Sequence, residues 1–82
     1  MGLVLGTAMI NGAPAPDGTV VTALVHGTEV GSAVITNGEF TNLRVGMPGE
    51  TVTFRIGDLE ANETATTEVG GATIVDLTAS GE

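Results

Sequence analysis

The side chains able to do chemistry are few and scattered. His26 is the single histidine, Ser32 and Ser80 are the only serines, and there is no cysteine. A general base needs an orienting partner, and a nucleophile or water within hydrogen-bond reach. His26 instead stands beside Gly27 at what reads as a strand end. Neither serine lies in the Gly-x-Ser-x-Gly turn that lifts a hydrolase nucleophile clear of its sheet. The missing thiols exclude thiol catalysis, disulfide staples and cysteine-ligated metal sites. No catalytic residue is assigned, no cofactor is implied, and the chain reads as a non-enzyme.

The densest carboxylates are Asp58, Glu60 and Glu63, around what reads as one loop. Hard cations take several oxygens from carboxylates and backbone carbonyls, so these three are the calcium candidates. No Asp-x-Asp-x-Asp-Gly loop accompanies them, and three solvated acids in a turn is the plainer reading. A carboxylate pair could serve a glycosidase, but that chemistry needs a sugar cleft. The chain has no Trp or Tyr to stack on a sugar ring, which weakens carbohydrate recognition too. Asn62-Glu63-Thr64 matches the glycosylation sequon, making Asn62 a candidate acceptor on an expected surface loop.

Ten acidic residues face two arginines and no lysine, for a net charge of −8. That balance repels phosphate backbones and anionic lipid surfaces, so no nucleic-acid partner is expected. No stretch approaches the roughly 20 apolar residues of a membrane helix, and none is expected to insert. The start Met-Gly-Leu-Val-Leu-Gly lacks the basic n-region of a signal peptide, which suggests a domain excised from a longer chain with a start Met added. With 82 residues the chain reads as one domain, residues 1–82. A domain this small buries only about 60% of the surface its unfolded chain exposes. Its hydrophobic fraction of 41% includes only two aromatics, so the core must be built from small branched side chains.

The elements that must position these residues are strands. Val52, Phe54 and Ile56 alternate with Thr51, Thr53 and Arg55, the period of a strand with one buried face. Asn37-Gly38 reads as a tight hairpin turn, since both central residues of a type I′ turn need positive φ. Further strands are expected at Leu3–Ile10 (closed by Asn11-Gly12), Thr19–His26, Glu29–Thr36, after Asn37-Gly38, at Asn62–Val69 and at Ala72–Ala79. Gly27-Thr28 and Gly70-Gly71 read as turns, Gly57–Ala61 as an acidic connection. Phe40 lies an odd number of residues before Leu43 and Val45, so strict alternation would split them between faces. One extra residue near Thr41 and Asn42 resets the parity and predicts a bulge there. Gly31 and Ser32 weaken the third strand and mark it as an edge or a bulge. The expected core is Val21, Ala23, Val25, Phe40, Leu43, Val52, Phe54 and Ile56. No helix, internal repeat or long linker is read. About seven short strands with turns between them predict an all-β, two-sheet antiparallel sandwich.

Residues 6–21, reading Gly-Thr-Ala-Met-Ile-Asn-Gly-Ala-Pro-Ala-Pro-Asp-Gly-Thr-Val-Val, together with Thr36-Asn37-Gly38-Glu39-Phe40 and Pro48-Gly49, have a recognisable rhythm. It resembles the carboxypeptidase regulatory-like family of transthyretin-like, or prealbumin-like, domains. That family runs from a first strand through an Asn/Asp-Gly-x-Pro segment, a Gly-x-x-Val strand and a Thr-x-x-Gly-x-Phe/Tyr hairpin to a Pro-Gly loop. The likeness covers about two thirds of the chain and consists mostly of turn chemistry, which supports fold more than activity. It implies a Greek-key sandwich in a secreted or surface-attached bacterial or archaeal protein, serving as a non-catalytic accessory module. Two departures matter. The Lys–Asn isopeptide of related surface sandwiches is excluded because there is no lysine. The ureide hydrolases of the transthyretin-like group need several histidines and a basic C-terminal motif, where this chain has His26 alone and ends Thr-Ala-Ser-Gly-Glu.

The expected function is thus a spacer or stalk domain of an extracellular or cell-surface protein, with neighbouring domains or other surface proteins as partners. One alternative is a fibre subunit that self-associates through Leu3–Ile10, a strand apolar on both parities, because an exposed edge is a template for strand addition. The other alternative is a calcium- or carbohydrate-binding accessory module.

Overall fold

The structure is a computed structural model that describes residues 2–45, 49–66 and 72–81. Eight strands follow one another: β1 (Gly2–Ile10), β2 (Ala13–Pro14), β3 (Val20–Val25), β4 (Thr28–Val34), β5 (Glu39–Val45), β6 (Thr51–Ile56), β7 (Leu59–Thr66) and β8 (Ala72–Ala79). The described residues contain no helix. The fold is therefore all-β, and the described residues hold eight strands where about seven are expected. The addition is two-residue β2, where Ala13 and Pro14 pair back onto Ile10 and Met9.

Turn chemistry cuts the chain into these pieces. Asn11-Gly12, with φ of 53° and 81°, and Asn37-Gly38, with 54° and 78°, both take the double positive φ of a type I′ turn. A third such turn falls at His26-Gly27, with φ of 52° and 79°. This corrects the expected turn at Gly27-Thr28: His26 is the first turn residue and not the end of a strand. At Gly57-Asp58 only the glycine is positive, at 61°. That is the type II′ pattern, and it joins β6 to β7 in two residues. The acidic connection expected over Gly57–Ala61 is thus a tight hairpin, and β7 starts at Leu59 instead of Asn62. Val69 and Gly70-Gly71 lie outside the described residues, as does Pro48.

The strands form two sheets. In the first, β1 is central: β8 runs parallel along one side from Leu3↔Ala72 to Ile10↔Ala79. Along its other side β5 and then β2 pair antiparallel. The second sheet has the order β4-β3-β6-β7, antiparallel throughout. The purely antiparallel expectation fails at β1 and β8, whose partnership across nearly the whole chain leaves no local mark in the sequence. The alternative of a free edge at Leu3–Ile10 is not what the pairing gives, and the strand instead closes its own sheet. That strand has hydrogen-bonded neighbours on both sides, β8 along one and β5 and β2 along the other, so its backbone is not a free edge.

All eight of the expected core residues are buried, Val25 at 2% exposure and the rest at zero. Val4, Ala8, Ile35, Val45, Leu77 and Ala79 complete the interior, with Ala15 at its rim. Phe40, Leu43 and Val45 share the inner face because β5 carries an irregularity where the parity argument requires it. Val4 pairs with Leu43 and Gly6 with Phe40, so β5 spends one residue more than β1 between those pairs. The outer strands of the second sheet are irregular too. On β4 the pairs Ala23↔Gly31 and Leu24↔Glu29 leave Val30 as an extra residue. On β7 the pairs Thr53↔Thr64 and Arg55↔Glu60 leave Ala61, Asn62 and Glu63 opposite Phe54 alone. Two extra residues preserve parity, so Leu59, Ala61, Glu63 and Ala65 remain on the core-facing side of β7 and are half-buried.

Candidate functional site

Bulges re-aim the side chains they carry, and the one on β7 turns Asn62 and Glu63 toward β8 in the other sheet. Glu63 presents a carboxylate from a core-facing position, which demands partners once water is partly excluded. It finds both on one residue. The Thr78 backbone N–H donates to Glu63 Oε1 at 2.6 Å, and the Thr78 hydroxyl donates to Oε2 at 2.6 Å. Asn62 Nδ2 in turn donates to Thr78 Oγ1 at 3.2 Å. These three residues form a hydrogen-bonded chain across the seam between the sheets. Sequence reading took Glu63 for a solvated acid; the alternation Leu59, Ala61, Glu63, Ala65 is the signal that places it inward.

The calcium candidates are not brought together. Asp58 lies in the β6–β7 turn, Glu60 points to solvent from β7 opposite Arg55, and Glu63 lies on the other face of the same strand. Glu60 is exposed, whereas Glu63 is half-buried and spends both carboxylate oxygens on Thr78. Among the described residues no group of three His, Cys, Asp or Glu could hold a metal. Asn62 is exposed, yet it sits within a strand and not on a loop, and its Nδ2, the atom a glycan would occupy, is engaged with Thr78.

The residues with catalytic potential stay apart. His26 occupies the β3–β4 turn, Ser32 is exposed on β4, and Ser80 follows the end of β8. Ser32 pairs with Thr22, four positions along β3 from His26, which is about 13 Å at 3.3 Å per residue. The partner of His26 is Glu50, with Nε2 to Oε2 at 3.2 Å and side-chain exposures of 80% and 46%. No pocket forms among the described residues.

A second polar cluster lies at the far end of the β1–β8 ladder and went unread in the sequence, where Asn11 counts only as a turn residue. Asn11 Nδ2 donates to the Gly81 carbonyl at 2.8 Å, and the Gly81 N–H donates to Asn11 Oδ1 at 3.0 Å. The Asn11 backbone N–H also donates to the Ala79 carbonyl at 2.9 Å. The side-chain amide supplies one donor and one acceptor, as a strand residue would, and prolongs the ladder beyond β8.

Comparison of the chain with protein-family models finds no match, and comparison with curated proteins finds none either.

Proposed function

We propose that the chain is a non-catalytic spacer module of a secreted or surface-attached multidomain protein, with neighbouring domains joined at its two ends. One observation carries this reading. Because β1 and β8 are adjacent and parallel, residue 3 lies beside residue 72 at one pole, while residue 81 lies beside residue 11 at the other. Chain running on from either end leaves in opposite directions. The nine residues of β1 cover close to 30 Å at about 3.3 Å each, most of the 34 Å longest dimension. A module so connected adds nearly its full length to a stalk. The Greek-key, transthyretin-like and carboxypeptidase regulatory-like assignment belongs to the same proposal, and the primed turns at Asn11-Gly12 and Asn37-Gly38 support it.

Small-angle scattering from two copies joined by a short stiff linker tests the reading. The expected result is a maximum dimension approaching twice that of one copy at all concentrations. A particle scarcely longer than one copy, with the two folded against each other, would reject it.

A further inference from the structure

We infer that β1 and β8 form a mechanical clamp, so that the domain resists tension applied through its two ends. The inference rests on the spacer reading, which supplies the direction of the load. A pull outward at residue 2 draws β1 toward its own pole, and a pull outward at residue 81 draws β8 toward the opposite one. The two strands are then sheared past each other along their length. Eight successive residue pairs, Leu3↔Ala72 to Ile10↔Ala79, join them without a register break. Parallel ladders space their hydrogen bonds evenly, so the load is shared over the whole row and the bonds must fail together. The same bonds pulled sideways from one end would fail one after another.

Three features fit this role. At Gly6, with φ of 151°, a Cβ would lie 1.8 Å from the Val75 carbonyl oxygen, so the two backbones approach more closely than a side chain allows. At the far pole the paired Asn11–Gly81 hydrogen bonds fasten the last residues of the strand where the backbone ladder has ended. Asn11 can do this from a turn because asparagine tolerates its φ of 53°. On its other flank β8 is held by Glu63 and Asn62 through Thr78. Tension at residue 81 meets the Asn11 fastening first, then the whole ladder.

Single-molecule pulling decides the matter, and the absence of native cysteine lets introduced cysteines define the points of attachment. Handles at Leu3→Cys and Glu82→Cys load the Asn11–Gly81 fastening and the ladder in shear; handles at Leu3→Cys and Ala72→Cys, neighbours at one pole, peel it. The expected rupture force is several-fold higher in shear than in peeling. Forced unfolding reports the unfolding barrier and not equilibrium stability, so the comparison within one folded protein is unaffected by small losses of stability. Asn11→Gly keeps the positive φ and removes the amide, and should lower the shear force while leaving the peeling force unchanged. Asn11→Asp, which keeps the acceptor alone, should fall between. Equal forces in the two geometries would overturn the clamp, and an unaltered shear force in both Asn11 variants would overturn the fastening. A compact tandem in scattering with a strong shear response would reject the spacer and keep the clamp; an extended tandem with equal forces would do the reverse.

Discussion

The two long sides of the sandwich, where an edge of one sheet meets an edge of the other, are closed by opposite means. On one side β4 meets β5, and the contact depends on a missing side chain. A Cβ on Gly31 would lie 2.2 Å from the Arg44 carbonyl oxygen, so backbone rests against backbone. On the other side β7 meets β8, and the contact depends on added side chains, Glu63 and Asn62 reaching to Thr78. Each closure falls at an irregularity of the outer strand, Val30 on β4 and Ala61–Glu63 on β7. A bulge bends its strand and increases the local twist. Here it carries each edge of the second sheet over the neighbouring edge of the first, which is one way natural sheets keep edges from pairing with other chains. The same backbone device thus serves a seam of van der Waals contact and a seam of hydrogen bonds.

Both seams enclose the same interior, so the largest effect comes from emptying it. Phe54 is fully buried and lies on β6, opposite the β7 bulge. Phe54→Ala should cost about 3–5 kcal/mol, a large part of the stability of a small domain. A urea melt showing a loss below about 1 kcal/mol would mean that the interior is less tightly filled than the buried ring implies. Next comes the steric seam. Gly31→Ala drives a methyl into a backbone oxygen that cannot rotate away, and should cost about 1–3 kcal/mol as an overpacking change. The φ of Gly31 is not in the left-handed region, so backbone strain contributes nothing and the whole loss reports on closeness. Gly12→Ala separates the two effects: its Cβ meets nothing within 4 Å but its φ is 81°, so any cost there is strain alone.

The contrast between the seams also marks how far the sequence could be read. Thr51–Ile56 announced a half-buried strand by alternation, and Phe40, Leu43 and Val45 announced the β5 bulge by conflicting parity. Both signals are local, because a strand's period and a turn's φ are written in neighbouring residues. The pairing of β1 with β8 is not local: Thr7 and Asp76, which share a hydrogen bond across it, are 69 residues apart. Nothing in Leu3–Ile10 names its partner, and an interior strand apolar on both faces looks much like an exposed edge. The site failed differently. Asp58, Glu60 and Glu63 are close in sequence, and closeness suggested a cluster, but a strand separates residues 60 and 63 onto opposite faces. Asn11 reads in the sequence only as half of the Asn11-Gly12 pair that closes the first strand, since its second role depends on a tail that returns beside it only in the folded chain. His26 took the first position of a type I′ turn more often held by Asn, so its turn was placed one residue late.

The hydrogen-bonded seam should yield less than the steric one. Glu63→Ala removes two acceptors from Thr78 and leaves its N–H to find water at a half-open edge, for a cost of roughly 1–2 kcal/mol. In a domain of this size that is a fall in Tm of about 4–8 °C per kcal/mol. Thr78→Val removes the hydroxyl but keeps the N–H bond to Glu63. A double-mutant cycle between the two should therefore give a coupling energy of about 0.5–1 kcal/mol, smaller than the full effect of Glu63→Ala. A coupling near zero would mean that the hydroxyl merely lies near the carboxylate and that the backbone N–H alone closes the seam.

The smallest effect is expected at a carboxylate contact away from either seam, His26 with Glu50 at 3.2 Å. It is longer than the 2.6 Å contacts of Glu63, and with side-chain exposures of 80% and 46% it is open to water and salt, which screen such surface contacts and leave them worth little. Glu50 also serves no seam, lying in the loop before β6. Glu50→Gln should leave Tm unchanged within the spread of ordinary surface substitutions, about 0.5 kcal/mol either way. Raising the salt concentration should not separate variant from parent. The pair of experiments tests what makes Glu63 matter, since both residues are half-buried glutamates and differ in the length of their contacts and in joining two sheets. Equal losses for Glu50→Gln and Glu63→Ala would show that the position at a seam confers nothing, and the account of how this sandwich closes would then rest on Gly31 alone.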